Sequence, residues 1–135
     1  ELTFRCNSPF AWTPIYIEHF DLSNNTTTQI IELENRSNVL KYYKPKIEIE
    51  LVNNNTDVSL KNLSNNGEIF SFTGLKPNEI ISIDNENEFI KSNNQLSNPF
   101  SKFNRKWLKL VYGVNQIEVK GQCNIAVKSQ FPIAQ

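Results

Sequence analysis

Few side chains in this sequence are of the kinds that do chemistry, and spacing decides what those few can do. His19 is the single histidine. It sits between Glu18 and Phe20 in a segment that reads as extended, with no partner at a useful spacing, so its expected role is structural. Asp84 with Glu86 or Glu88 is the sort of carboxylate pair that glycoside cleavage requires. These acids fall at a hairpin turn, where they are ordinary solvated residues. Cys6 and Cys123 are the only cysteines. Two cysteines so far apart make no metal-binding pattern. They read as buried reduced thiols, and become neighbours only if the first and last strands pair. No G-x-S-x-G, H-E-x-x-H or phosphate-binding glycine loop occurs. The four glycines, Gly67, Gly74, Gly113 and Gly121, fall at turns or strand ends. These residue types lead to an expectation of no enzyme activity, no cofactor and no metal.

Binding is the other class of function. β-Sandwich domains often hold sugars with exposed aromatic rings beside Asn, Asp and Arg side chains. Phe10, Trp12, Tyr42 and Tyr43 are the candidate interaction surface on that reasoning, with the asparagine-rich loops as polar neighbours. The competing reading places Trp107 and most phenylalanines in the core, and packs the aromatics between Pro9 and Pro14 against this domain or its neighbour. Charge narrows the partners. Lys plus Arg is 14 and Asp plus Glu is 14, so the formal net charge is zero. That gives no electrostatic case for nucleic acid, whose binding needs a basic surface, or for an anionic membrane. No apolar run approaches the ~20 residues of a membrane span, and no signal-peptide pattern opens the chain.

The elements that must position these residues are strands. Residues 107–121 carry the clearest grammar. Leu108, Leu110 and Tyr112 share one face of an extended segment. Gly113 and Asn115, types that tolerate positive φ, form a turn. Ile117 and Val119 then alternate with Glu118 and Lys120. After a turn at Gly121, Cys123, Ile125 and Val127 continue the alternation, so a three-stranded antiparallel meander is expected to close the chain. Upstream, residues 2–6, 15–20, 28–34, 47–51, 58–60, 68–73, 79–84 and 88–90 read as strands, the last two as a hairpin. Pro45 keeps Tyr42-Tyr43 out of a central strand. One helical turn is expected near Asn98-Pro99, with Pro99 close to N1. Short strands throughout and at most one short helical turn make an all-β protein, an antiparallel β-sandwich of jelly-roll type. Trp107, Leu108, Leu110, Ile117 and Val119 are its expected core.

At 135 residues the chain suits one domain. It starts at Glu1 and contains no methionine, which reads as a piece cut from a longer protein. Residues 1–13 are taken as a lead-in from a missing N-terminal domain and 14–135 as the sandwich. Roughly one residue in seven is asparagine, against a few per cent in ordinary proteins. With abundant Lys and Ile this points to an AT-rich coding sequence. The pairs and triplet at 24–25, 53–55, 65–66 and 93–94 then read as loop residues. The sequons at Asn25 and Asn35 read as chance matches.

Three stretches together resemble a known family. Phe4-Arg5-Cys6-Asn7-Ser8-Pro9-Phe10-Ala11-Trp12 is similar to an aromatic C-x-S-P-[FY]-A-[WY] lead-in. Phe72-Thr73-Gly74-Leu75 through Ile81-Ser82-Ile83-Asp84-Asn85-Glu86 is similar to a G-L…I-x-I-D-N-E hairpin. Trp107-Leu108-x-Leu110-x-x-Gly113-x-Asn115-x-Ile117-x-Val119-x-Gly121 is similar to a closing W…G-x-N-x-I-x-V-x-G signature. The chain thereby resembles the C-terminal domain of siphophage distal tail proteins and related prophage tail-tip and baseplate components. The resemblance implies a galectin-like β-sandwich on the rim of a homo-hexameric ring that an absent N-terminal domain builds. It also implies a virion tail-tip location, assembly in the bacterial cytoplasm, and no catalytic residues. The implied partners are phage tail proteins: tube, hub, and fibre or receptor-binding protein. In some members an inserted module binds carbohydrate, and the short loops here leave no room for such an insertion; host surface carbohydrate is the alternative partner through the aromatic candidates above. The isolated fragment is expected to be a monomer or weak dimer.

Overall fold

A computed structural model describes residues 10–39, 41–94 and 96–134, with the side chains of Phe10 and Ala134 left out. Among them are thirteen strands: β1 (Phe10–Trp12), β2 (Tyr16–Leu22), β3 (Thr28–Asn35), β4 (Tyr42–Tyr43), β5 (Lys46–Leu51), β6 (Val58–Asn62), β7 (Glu68–Phe72), β8 (Ile80–Asp84), β9 (Phe89–Ser92), β10 (Leu110–Val111), β11 (Gly113–Lys120), β12 (Cys123–Ser129) and β13 (Pro132–Ala134). The expected strand at residues 2–6, and Cys6 with it, lie outside the described residues. One 3-10 turn among the described residues, Pro99–Lys102, carries Pro at its start.

Two antiparallel sheets pack face to face. One runs β2-β12-β5-β8-β9, the other β3-β11-β6-β7. Period-2 patterning sets which face of each strand is buried. Ile47, Ile49 and Leu51 turn inward from β5 while Lys46, Glu48 and Glu50 face water. Ile117 and Val119 do the same on β11, and Ile125 and Val127 on β12. Phe70, Phe72 and Phe103 complete the core, and Trp107 packs against it half-buried. Two short ribbons, β1–β13 and β4–β10, close one end. At the other end four connections cross between the sheets: β2 to β3, β5 to β6, β7 to β8 and β11 to β12.

These crossings overturn the expected closing meander. β10 pairs with β4, β11 lies between β3 and β6, and β12 lies between β2 and β5. The pattern gave the buried faces of β11 and β12 correctly, but successive strands pass to different sheets. Gly113 and Asn115 lie inside β11 rather than in a turn. Gly113 does take positive φ, +88°, and Tyr112 is exposed, unlike the buried Leu108 and Leu110. The β8–β9 hairpin forms as expected.

Asparagine is more than loop filler. Asn25, Asn35, Asn62, Asn65, Asn85 and Asn115 are buried. Asn25 Nδ2 donates to the carbonyls of Val119 and Gly121, at 3.0 and 3.1 Å, and so ties the β2–β3 arch to the end of β11. Asn55 Nδ2 reaches the Gln122 carbonyl at 3.1 Å and ties the neighbouring arches. Burial of Asn25 and Asn35 fits the reading of their sequons as chance. Asn53, Asn54, Asn66 and Asn78 take the positive φ that loop asparagines tolerate.

Candidate functional site

Several exposed aromatic and aliphatic side chains, among them Trp12, Ile15, Ile17 and Phe89, line grooves next to the ribbon-closed end. Thr13 sets up that end. Its backbone N–H donates to the Phe131 carbonyl at 2.9 Å, and its hydroxyl accepts from the Phe131 N–H at 2.9 Å. Gln130 Nε2 donates to the Thr13 carbonyl at 3.1 Å. These bonds hold the segment after β1 against the segment before β13. Tyr43 is locked into the same corner. Its ring lies 4.4 Å from that of Phe131, and its hydroxyl accepts from the Gln130 N–H at 2.9 Å. Burial pushes the Tyr43 phenol above its ordinary pKa of 10.0, with the Glu86 and Asp84 carboxylates adding to the effect and the Gln130 bond opposing it. It stays a neutral phenol.

A groove of about 520 Å³ opens here between Trp12, Ile15, Tyr43, Lys46, Glu86 and Lys128. Trp12 and Ile15 are more than half exposed, at 61% and 52%. The groove runs on to the outer face of the five-stranded sheet. Register places Ile17, Lys128, Lys46, Asp84 and Phe89 in one row across that face. Ile17 and Phe89, 58% and 59% exposed, bound the row at its two edges. Burial alone would raise the Asp84 pKa. Hydrogen bonds from Asn87 and the Lys46 charge outweigh it and hold the carboxyl below its ordinary 3.8, so the row has two cations, one anion and an apolar residue at each end. His19 lies in the next row, exposed, beside Ala126 across β12.

Of the four candidate residues, the structure brings Trp12 and Tyr43 together in this groove. Tyr42 points elsewhere, its ring 5.1 Å from Lys109 Nζ and 5.6 Å from Lys41 Nζ. The Phe10 side chain lies outside the described residues. Sequence reasoning passed over Ile15, Ile17, Lys46, Phe89 and Lys128. Alternation after Pro14 gave a signal for the first two. The others meet only through long-range pairing. The arrangement suits binding: an exposed indole, aliphatic walls and mixed charge. Among the described residues no three His, Cys, Asp or Glu side chains cluster as a metal site, and no helix is long and apolar enough to cross a membrane.

Comparison with known proteins adds a family. A family model described as a phage tail C-terminal domain matches residues 10–129. The SPbeta prophage-derived uncharacterized protein YomH of Bacillus subtilis strain 168 is 28% identical over 75 residues, which are 56% of this chain and 30% of that protein. The match therefore spans less than a third of that relative. Among solved structures, the Dit protein (gp 19.1) of phage SPP1, described as a paradigm of hub adsorption apparatus in Gram-positive infecting phages, aligns with a TM-score of 0.61. The alignment covers 93% of this chain and 50% of that one at 12% identity, a likeness of fold.

Proposed function

The chain belongs to the phage tail C-terminal domain family, and from that premise we propose that it is a non-enzymatic docking platform at the tail tip. It would carry baseplate, fibre or receptor-binding components on the outside of a ring built by another part of the parent protein. The sandwich is of the galectin-like kind, with residues 14–135 as its body and 1–13 as the lead-in. Assembly takes place in the host cytoplasm and the product is the virion tail tip. The observation that carries the docking role is the groove of Trp12, Ile15 and Tyr43, continuous with the Ile17–Phe89 row. Aromatic anchors beside satisfied polar groups are what protein interfaces concentrate.

Host surface carbohydrate is the second reading, favoured by the exposed Trp12 ring beside Glu86, Lys46 and Gln130. A photo-crosslinking residue at position 12 in particle-producing cells separates the two. The docking account expects a covalent adduct with another tail protein, and none from position 120 at the opposite end. A domain that forms no such adduct, but binds a glycan array through Trp12 and Tyr43, would replace docking with sugar binding.

A further inference from the structure

Asn66 is the one asparagine of this chain that is followed by a glycine. Glycine has no Cβ, so its backbone nitrogen can swing onto the side-chain amide carbon of the residue before it. Any other side chain hinders that approach. The pair sits in the loop of the β6–β7 hairpin, residues 63–67, which the Asn62–Glu68 pair closes. Asn66 is exposed to water. Both residues take positive φ, 59° for Asn66 and 68° for Gly67, the backbone that Asn-Gly turns favour.

The fold holds this pair back. The Gly67 N–H donates to the Asn62 carbonyl at 3.0 Å, and the Asn65 N–H donates to the same oxygen at 3.1 Å. The loop is also clasped to β11. The Leu63 N–H donates to the Gln116 carbonyl at 2.9 Å, and the Gln116 N–H donates to Ser64 Oγ at 3.0 Å. A backbone nitrogen must lose its proton before it attacks, and one whose N–H is held in a hydrogen bond is a poor nucleophile. Lys61 works the other way. Its side chain lies against Gly67, with Cε 3.3 Å from where a Cβ would stand, and a nearby cation favours negative charge on that nitrogen.

We propose that Asn66 is a site of spontaneous deamidation, and that opening of the 63–67 loop sets its rate. In the opened loop the Gly67 nitrogen gives its proton to solvent and bonds to Asn66 Cγ. The Cγ–Nδ2 bond breaks, and Nδ2 takes a proton from solvent and leaves as ammonia. Water then opens the cyclic imide. Cleavage of its side-chain carbonyl bond leaves aspartate at position 66; cleavage of its main-chain carbonyl bond leaves isoaspartate. The sum is amide plus water giving acid plus ammonia, with no oxidant or reductant. Each event adds one negative charge to a chain whose formal net charge is zero. The isoaspartate form also lengthens the loop backbone by a carbon, in the hairpin whose register sets Phe70 and Phe72 into the core. The site does not depend on what fills the groove at Trp12.

Peptide mass spectrometry, with chromatographic separation of isoaspartate, tests this on the chain held in mildly alkaline buffer, both folded and in urea. In urea, aspartate and isoaspartate should appear at position 66 ahead of every other asparagine, and Gly67→Ala should remove that lead. The folded chain should convert at position 66 at least about tenfold more slowly. Hydrogen exchange of the Gly67 amide reports the same opening, so its protection should match that slowing. Ser64→Ala removes one clasp at an exposed position. It should raise the folded rate about fivefold and leave the rate in urea unchanged. Another asparagine leading in urea, or equal rates folded and unfolded, would overturn the proposal. So would a folded rate that Ser64→Ala leaves unchanged. Should that variant fail to fold, a mismatch in the wild type between amide protection and the slowing of deamidation overturns the gate on its own.

Discussion

At Gly121 and Gly113 one residue type meets two different constraints. Both have positive φ, +113° and +88°. A Cβ at Gly121 would lie 2.6 Å from the Asp57 carbonyl oxygen, whereas at Gly113 it would meet nothing within 4 Å. Gly113→Val therefore costs backbone strain alone, about 1–2 kcal/mol, and Gly121→Ala adds a backbone clash for about 3 kcal/mol or more. Urea unfolding should rank them in that order; equal losses would contradict the packing assigned to Gly121. The left-handed backbone was legible in the sequence, but the approach of the 55–57 loop was not. Asn115 shows the same division. Its place in the 113–121 signature was readable. Its buried Oδ1, accepting from the Val111 N–H and Asn62 Nδ2 at 2.8 and 3.1 Å, was not. Its Nδ2 donates to the Val111 and Gly113 carbonyls. Asn115→Ala strips partners from several buried groups and should cost about 3 kcal/mol in the same measurement.

Glu79 supplies a pH prediction. It is buried, and burial alone would raise its pKa. The Ser92 and Ser97 hydroxyls, the Lys76 N–H and the Lys76 charge outweigh that and hold it below 4.5. A lowered folded pKa means the stabilisation is complete above 4.5 and is lost as pH falls through the folded value. The stability gap between wild type and Glu79→Gln should therefore narrow as pH goes from about 7 to about 3. A constant gap would show that the carboxylate's charge plays no part.

Among the elements, faces were easier to read than neighbours. Alternation in 117–120 and 123–128 identifies the inward side chains correctly, because period 2 is a local property of a strand. Pairing is not local. The turn at Gly121 looks like a hairpin in sequence, yet it is an arch between sheets, held by asparagines from two other arches. The 99–107 segment was legible as a helical turn with apolar residues, but not as the cover of β7. Phe103 anchors that cover, bridged to Phe72 on the free edge of β7, stacked 4.9 Å from the Phe72 ring and edge-on to Trp107 at 4.7 Å. Phe103→Ala should cost about 3–4 kcal/mol by the cavity alone, and it should also free the β7 edge. Light scattering on the folded variant should then rise with time; a variant that is merely less stable and stays clear would show that the edge is protected some other way.

For the whole molecule, composition and turn punctuation were enough to give an all-β sandwich. Three spaced motifs pointed to a tail-tip family, and the phage tail C-terminal domain model matches residues 10–129. The site was half legible. Trp12 and Tyr43 were singled out by type, but only the β1–β13 pairing and the Gln130 bonds bring them to one groove. Tyr42, adjacent in sequence to Tyr43, faces away because neighbours on a strand alternate sides. The central claim is that this domain is a docking part of a phage tail tip. Native mass measurement with negative-stain imaging of the full-length parent tests it most directly. The account predicts a closed ring with this domain on its rim. A soluble monomer that forms no ring would contradict it and shift the groove's role to sugar binding.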